Sequence, residues 1–247
     1  MPTARRSRRV RARILVIDLG GTHVKILLEG ASNSRQAPSG PKMTPADLVR
    51  AVRELARGWR YDRVTLGFPG VVLHGRPVME PRNLGRGWVA FQYRRAFGCP
   101  VRILNDATMQ AIGSYEGGRM LFLGLGTGLG STLIIDGVVE ATELAHLPYK
   151  KGRTYEEYVG EKGLERLGHK KWRRAVADIC ERFTAAFEID YIVLGGGNAR
   201  KLKKLPMNAR LGSNANAFEG GFRIWLDPHW TASTATYQHG SARKRRA

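Results

Sequence analysis

Apolar and polar positions along this chain switch repeatedly between two periods. "RILVID" (13–18) and "VKILLE" (24–29) are short apolar runs flanking "LGGTH", which reads as two strands joined by a glycine turn. "TPADLVRAVRELARGW" repeats apolar residues at helical spacing and carries its own start signal, with Thr44 at the N-cap, Pro45 at the first helical position and Asp47 in the capping-box position. "RVTLGFPG" (63–70) is a strand entering a glycine turn, "VAFQYRRAFG" a short helix, and "VRILND" (101–106) a strand ending on two polar residues. "ATMQAIGSYEGG" then reads as a helix, and "RMLFLGLG" and "STLIIDG" as paired strands. "TYEEYVGEKGLERLG" and "KWRRAVADICERFTAAFE" read as helices and "DYIVLGGG" as a strand running into a loop. "FEGGFRIW" closes the pattern as an amphipathic turn or helix, and the tail after Trp230 reads as disordered. Such alternation predicts an α/β architecture.

Two segments repeat one plan. With their closing acid and glycine aligned, "VIDLGGTHVKILLEG" (16–30) and "LGLGTGLGSTLIIDG" (123–137) each run from an apolar strand through a glycine–threonine turn into a second strand. An ordinary hairpin would carry Asn-Gly or Asp-Gly at its tip. A loop of glycines instead lets backbone N–H groups approach an anion closely. If the halves face each other, both turns look into one cleft, with phosphate as the natural occupant. The donor-binding candidates are Gly20, Gly21, Thr22 and Lys25 in one turn and Gly126, Thr127, Gly128 and Gly130 in the other. Lys25 either reaches phosphate or sits on the surface. A third loop, "LGGGNARK" (194–201), follows a strand and is expected to precede a helix, so that Gly195, Gly196 and Gly197 form another anion site with Lys201 close behind. No GxxxxGK[ST] occurs, and "GLGTGLG" leads into a strand, which excludes the usual nucleotide loops.

Composition changes the picture in two ways. At 247 residues and 43% apolar, the chain can bury a real core as one large domain or two small ones sharing a cleft. No run approaches eighteen apolar residues, and the arginine-rich start lacks the apolar stretch of a secretory signal, so a cytoplasmic location without membrane contact is expected. Cys99 and Cys180 match no metal-ligand spacing and read as buried small residues. The formal net charge is +20, and six arginines in residues 1–13 with four basic residues in the last six account for half of it. These tails are either solubilising arms or working polyanion contacts. The rest recurs beside the glycine loops, at Lys25, Arg119, Lys150, Lys151, Arg153, Arg200, Lys201, Lys203 and Lys204, and favours a polyanionic partner.

The ordered set "DLGGTHVK", "GFPGVV", "PRNLGRGW", "LNDA", "LGTGLGS", "ELAH", "YEEY" and "LGGGNARK" resembles the ROK sugar kinases of the actin and hexokinase superfamily, and among them the polyphosphate glucokinases. The resemblance spans roughly residues 13–227 and implies a two-lobed, actin-like or ribonuclease H-like ATPase fold with an interdomain cleft. The expected division is a basic arm (1–12), an N-terminal lobe (13–104), a C-terminal lobe (105–230) whose last helix returns to the first, and a basic tail (231–247). Phosphoryl transfer needs a base at the attacking hydroxyl and fixed positive or N–H groups around the migrating phosphate. Asp106 matches the family's catalytic aspartate, although on its own it also reads as a helix N-cap. Asp18 is the expected Mg²⁺ partner, through water. For the sugar, the resemblance implies Gly70, Asn83, Asn105, Asp106, Glu143, His146 and Glu156, whereas a lone Glu-x-x-His pair is otherwise an ordinary surface pair.

Departures from the family refine the expectation. The cysteine-rich zinc site of many ROK proteins is missing, so no zinc is expected, and Ala145 replaces a glycine of the family motif. The thirteen residues before the first strand leave no room for a repressor's helix-turn-helix. The resulting expectation is a kinase that phosphorylates the 6-hydroxyl of glucose from polyphosphate, with ATP as the alternative donor. Mg²⁺ is the expected cofactor and homodimerisation is implied by the family. The contrasting reading is a nucleic-acid-binding protein on a kinase-like fold, which the full set of polar kinase residues disfavours.

Overall fold

The computed structural model describes residues 13–213, 215–227 and 230, so both basic tails lie outside the described residues. The first half begins with an antiparallel meander of β1 (Ile14–Leu19), β2 (His23–Leu28) and β3 (Arg35–Pro38). It continues through α1 (Pro45–Leu55), β4 (Arg63–Phe68), the small pair β5 (Val72–Leu73) and β6 (Arg76–Pro77), α2 (Tyr93–Phe97), β7 (Val101–Asn105) and α3 (Asp106–Ser114). The second half repeats the meander as β8 (Arg119–Leu125), β9 (Leu129–Ile135) and β10 (Val138–Thr142). A 3₁₀ turn (Leu144–His146), β11 (Pro148–Lys150), β12 (Arg153–Thr154), α4 (Tyr155–Val159) and α5 (Glu161–Phe187) follow. β13 (Tyr191–Gly195), a 3₁₀ segment (Gly197–Lys201), β14 (Ala209–Leu211) and α6 (Asn216–Leu226) complete it.

The repeat seen in the sequence extends well beyond the two hairpins. The larger sheets are ordered β3-β2-β1-β4-β7 and β10-β9-β8-β13-β14, so each has an antiparallel edge of three strands and a parallel continuation of two. Strands buried on both faces read as near-continuous apolar runs, and Ile14 to Ile17 and Met120 to Leu123 are accordingly fully inside. The short edge strands β3, β10 and β14 escaped the sequence reading because their residues are half-exposed and unpatterned.

One helical run departs from expectation in an informative way. The run 154–168 is not one helix: it breaks at Gly160, which is extended and whose added Cβ would meet the carbonyls of Glu156 and Thr127. The break at Gly168, where φ of 69° interrupts α5, falls where the sequence reading separates two helices. At the other end of the chain α6 crosses to the first half and packs on β1, with Ala217 and Phe218 in one apolar cluster with Ile14, Val16 and Met109. Thr65 of β4 donates to the carbonyl of Gly221 at 2.7 Å and accepts from Trp225 Nε1 at 2.9 Å. Gly113 of α3 and Gly220 of α6 let these helices touch backbone to backbone. Among the described residues, no helix is long and apolar enough to cross a membrane.

Candidate active site

In a sheet with parallel strands, the carboxyl ends open onto a crevice where ligands bind. β1, β4 and β7 run parallel, and their ends carry Asp18, Gly70 and the pair Asn105–Asp106. The matching ends of β8 and β13 carry the turns at 126–128 and 196–197. The fold therefore brings Asp18, Gly70, Asn105 and Asp106 to one end of the first sheet and the two later glycine loops to the corresponding end of the second.

Asn105, and not Asp106, caps α3. The Asn105 Oδ1 accepts from the N–H groups of Ala107 at 2.9 Å and Thr108 at 3.2 Å, and its Nδ2 donates to the Gly70 carbonyl at 3.0 Å. Asn105 thereby fastens the end of β7 to the loop after β4, which leaves it one N–H for any other partner. Asp106 is released from the capping role and stands at the first helical position, its Oδ1 accepting from the adjacent N–H of Ala107 at 2.8 Å. Part of its surface stays open, yet protein closes around it closely enough for desolvation to dominate its titration. Desolvation first, and then the nearby charge of Asp18, push the Asp106 carboxyl up to about 6. Burial also raises the Asp18 carboxyl, against the opposing pull of Lys25, its cross-strand neighbour.

Around these acids the two glycine turns are built differently. In the first, the Gly20 N–H donates to the His23 carbonyl at 2.9 Å, and Ser39 Oγ donates to the Gly20 carbonyl at 2.6 Å. Thr22 is exposed, and Asn83 lies against Gly21, where an added Cβ would come within 3.2 Å of it. In the second turn the Gly126 carbonyl accepts from the Glu161 N–H at 3.0 Å and from Asn198 Nδ2 at 3.1 Å. The Thr127 carbonyl is also turned toward Glu161, at 3.3 Å. Both carbonyls thus point into the protein, where they do not repel an anion. Gly130 abuts Ala107, its added Cβ falling 2.8 Å from the alanine methyl, so the second turn leans on the start of α3 beside Asp106.

Glu143 and His146 sit together with exposed side chains, Oε1 to Nε2 at 3.6 Å, flanking the buried Leu144 and Ala145 of a 3₁₀ turn tethered to β9 by Ser131 Oγ, which accepts from the Leu144 N–H at 3.3 Å. Glu156 reaches the second turn instead: its Oε2 accepts from the Leu129 N–H at 3.3 Å and fills the space over Gly128. A capping box between Thr154 and Glu157 sets the short helix that aims it.

Two expectations need correction. The loop at 195–197 precedes five residues of 3₁₀ helix and no α-helix, so no summed dipole stands behind it. Gly196, at φ 80°, is pressed against the Leu125 backbone, and Asn198 ties the next residue to Gly126, which holds the segment too tightly for α geometry. Arg119 lies at the start of β8, the far end from the turn, and its guanidinium binds the carbonyls of Phe187 and Glu188 at the end of α5. Lys150 and Arg153 are likewise drawn to Asp178 and Glu157. Asn198 itself, buried and joining two glycine loops, went unnoticed in the sequence; its position directly after three glycines was the available signal. Among the described residues no group of three His, Cys, Asp or Glu side chains comes together to hold a metal.

Two sheets of like strand order, with glycine turns at their carboxyl ends, define a two-lobed actin-like α/β protein. The chain belongs to the ROK family, whose model matches residues 14–151. It is similar in structure to the inorganic polyphosphate/ATP-glucomannokinase from Arthrobacter sp. strain KM, at 22% identity and TM-score 0.74 over 87% of this chain and 99% of that one. It is similar also to a ROK family glucokinase from Streptomyces griseus in complex with glucose and AMPPNP, at 16% identity and TM-score 0.64 over 85% of this chain and 97% of that one. A ROK family transcriptional regulator, a homologue of the E. coli MLC protein, shares the fold at 15% identity and TM-score 0.69, over 92% of this chain and 80% of that one. Likeness at these identities is one of fold. No curated protein matches the sequence.

Proposed function

We propose that this ROK protein is a kinase that transfers the terminal phosphoryl group of polyphosphate to the 6-hydroxyl of glucose. The observation that carries the reading is Asp106, a desolvated carboxylate raised to about 6 with the charge of Asp18 nearby, next to the Ala107 on which the second glycine hairpin packs. A base of that strength is unprotonated at neutral pH yet basic enough to accept a proton from an attacking alcohol. In the proposed reaction the sugar oxygen forms its bond to phosphorus as its proton passes to Asp106, and the bond to the bridging oxygen breaks, leaving a chain one unit shorter. Asn105 holds Asp106 in place by capping α3 and gripping Gly70. Asn83, Glu143, His146 and Glu156 are the proposed sugar contacts, and Gly70 the backbone against which the sugar lies. Gly20, Gly21, Thr22, Lys25, Gly126, Thr127, Gly128 and Gly130 are the proposed donor contacts, with Gly195, Gly196, Gly197 and Lys201 on the third loop.

Two desolvated carboxylates, with Asp18 raising the proton affinity of Asp106, are a donor set suited to a hard, oxygen-seeking cation. Asp18 would hold Mg²⁺ through water, and the ion, when bound, supplies positive charge to the phosphates. The division into lobes hinged at "ILND" belongs to the same proposal, with closure over the sugar excluding water that would otherwise hydrolyse the donor. The test is purified protein with glucose and Mg²⁺, offered polyphosphate or ATP, with glucose 6-phosphate measured. Turnover with polyphosphate is the expected result. Turnover with ATP alone overturns the donor, and none with either donor and any hexose overturns the kinase.

A further inference from the structure

The 3₁₀ segment after the third glycine loop starts at the second glycine turn and leads outward. Asn198 Nδ2 binds the Gly126 carbonyl at 3.1 Å, and the next residues, Arg200 and Lys201, are exposed. A 3₁₀ segment rises about 2 Å per residue, so the backbone carrying these charges stays within roughly 10 Å of the turn. Lys203 and Lys204, also exposed, continue the line. The second part of α5 touches it at one point, where Arg173 Nε donates to the Lys201 carbonyl at 2.8 Å, and exposed Lys170 and Arg174 lie within one turn of Arg173.

Several basic side chains elsewhere are paired; others among the described residues, such as Lys42, Arg82 and Lys162, are exposed and unpaired like this basic ridge, which is set apart by its start at the second glycine turn. Arg50, Arg57, Lys150, Arg153, Arg182, Arg210 and Arg223 each have a carboxylate within ion-pair distance. Among the described residues, Lys170, Arg174, Arg200, Lys201, Lys203 and Lys204 have none. Asp178, one turn beyond Arg174, is already held by Tyr149, Lys150 and Arg182. Six unneutralised cations on these two adjoining segments, next to the second glycine turn, suit a linear anion longer than a nucleotide's triphosphate.

We infer that this ridge is a docking track for the part of a long polyphosphate chain that lies beyond its reacting end. The inference rests on the polyphosphate reading above, and it assigns to the ridge a preference for chain length. Its charges act on the waiting units and not on the one being transferred, so they lower KM for long chains and leave kcat alone.

The test is a variant with Lys170, Arg174, Lys203 and Lys204 all changed to Ala, assayed with long-chain polyphosphate, tripolyphosphate and ATP at several salt concentrations. All four positions are exposed, and Lys203→Glu alone gives the same direction if the fourfold variant folds poorly. The expected result is a rise of about tenfold in KM for the long chain with kcat kept, and a log KM against log salt slope shallower by about two to three units. KM for tripolyphosphate and ATP is expected to stay within about twofold. Equal losses with long and short donors, or no loss with either, overturn the track but not the donor. A wild type that uses no polyphosphate of either length overturns both. Displacement of long-chain polyphosphate by single-stranded DNA of equal charge, at equal concentration, overturns the assignment in favour of a nucleic-acid surface.

Discussion

Asp106 combines two properties that pull against each other. Ionised, it is a buried charge facing another carboxylate, which weakens the folded state; as a base it is useful only when ionised. Its folded pKa of about 6 lies above the ordinary aspartate value of 3.8, so the native state binds the proton more tightly than the unfolded one. Stability is therefore lost as pH rises from about 4 through 6, while turnover rises across the upper part of that window. Asp106→Asn is expected to cut kcat by roughly 10²- to 10⁴-fold, leave glucose affinity within about twofold, and raise Tm at pH 7 but not at pH 4. Calorimetric titration with glucose and thermal scans at both pH values check it; a lower Tm at pH 7 would contradict the electrostatic account. Asn105→Ala removes the α3 cap and the link to Gly70, at an expected cost of about 1–2 kcal/mol in denaturant unfolding. It should lower kcat as well, because the base loses its mount.

At the scale of elements, what was legible in the sequence is what local chemistry writes there. The Thr44–Asp47 capping box appears as read, with the Asp47 carboxylate accepting from the Thr44 N–H at 3.0 Å. The buried strands announced themselves as apolar runs, and the two glycine hairpins by their shared plan. What stayed hidden depends on partners distant in the chain. Gly160 is extended because a turn thirty residues earlier occupies the space above it, and Arg119 is drawn to the end of α5 by carbonyls almost seventy residues later. Lys25 next to Asp18 lies between these cases, since pairing register decides it and composition does not. The contact of α3 with α6 belongs to the same scale. An added methyl at Gly220 would overlap the Met109 carbonyl, and one at Gly113 the Asn216 carbonyl. Gly220→Ala is expected to cost about 1–3 kcal/mol or more through overpacking. Urea unfolding measures this, and a neutral result would mean that the helices separate freely.

For the whole molecule, charge and connectivity matter most. A net charge of +20 gathers any polyanion in a strongly salt-dependent way. Raising salt from 50 to 200 mM is expected to increase KM for polyphosphate by about tenfold or more while leaving KM for glucose nearly unchanged; initial-rate assays with each substrate varied in turn decide it. Connectivity has a consequence for how the molecule comes into being. α6 covers β4 from some 160 residues further along, as the bond from Trp225 to Thr65 records, and β1 from about 200. During synthesis the first sheet must wait with Ile14, Val16 and Thr65 uncovered until nearly all of the second half has left the ribosome. The nascent chain is thus most prone to clump before its last helix arrives, and a chaperone that shields the face of β1 would serve this protein better than one acting on the finished fold.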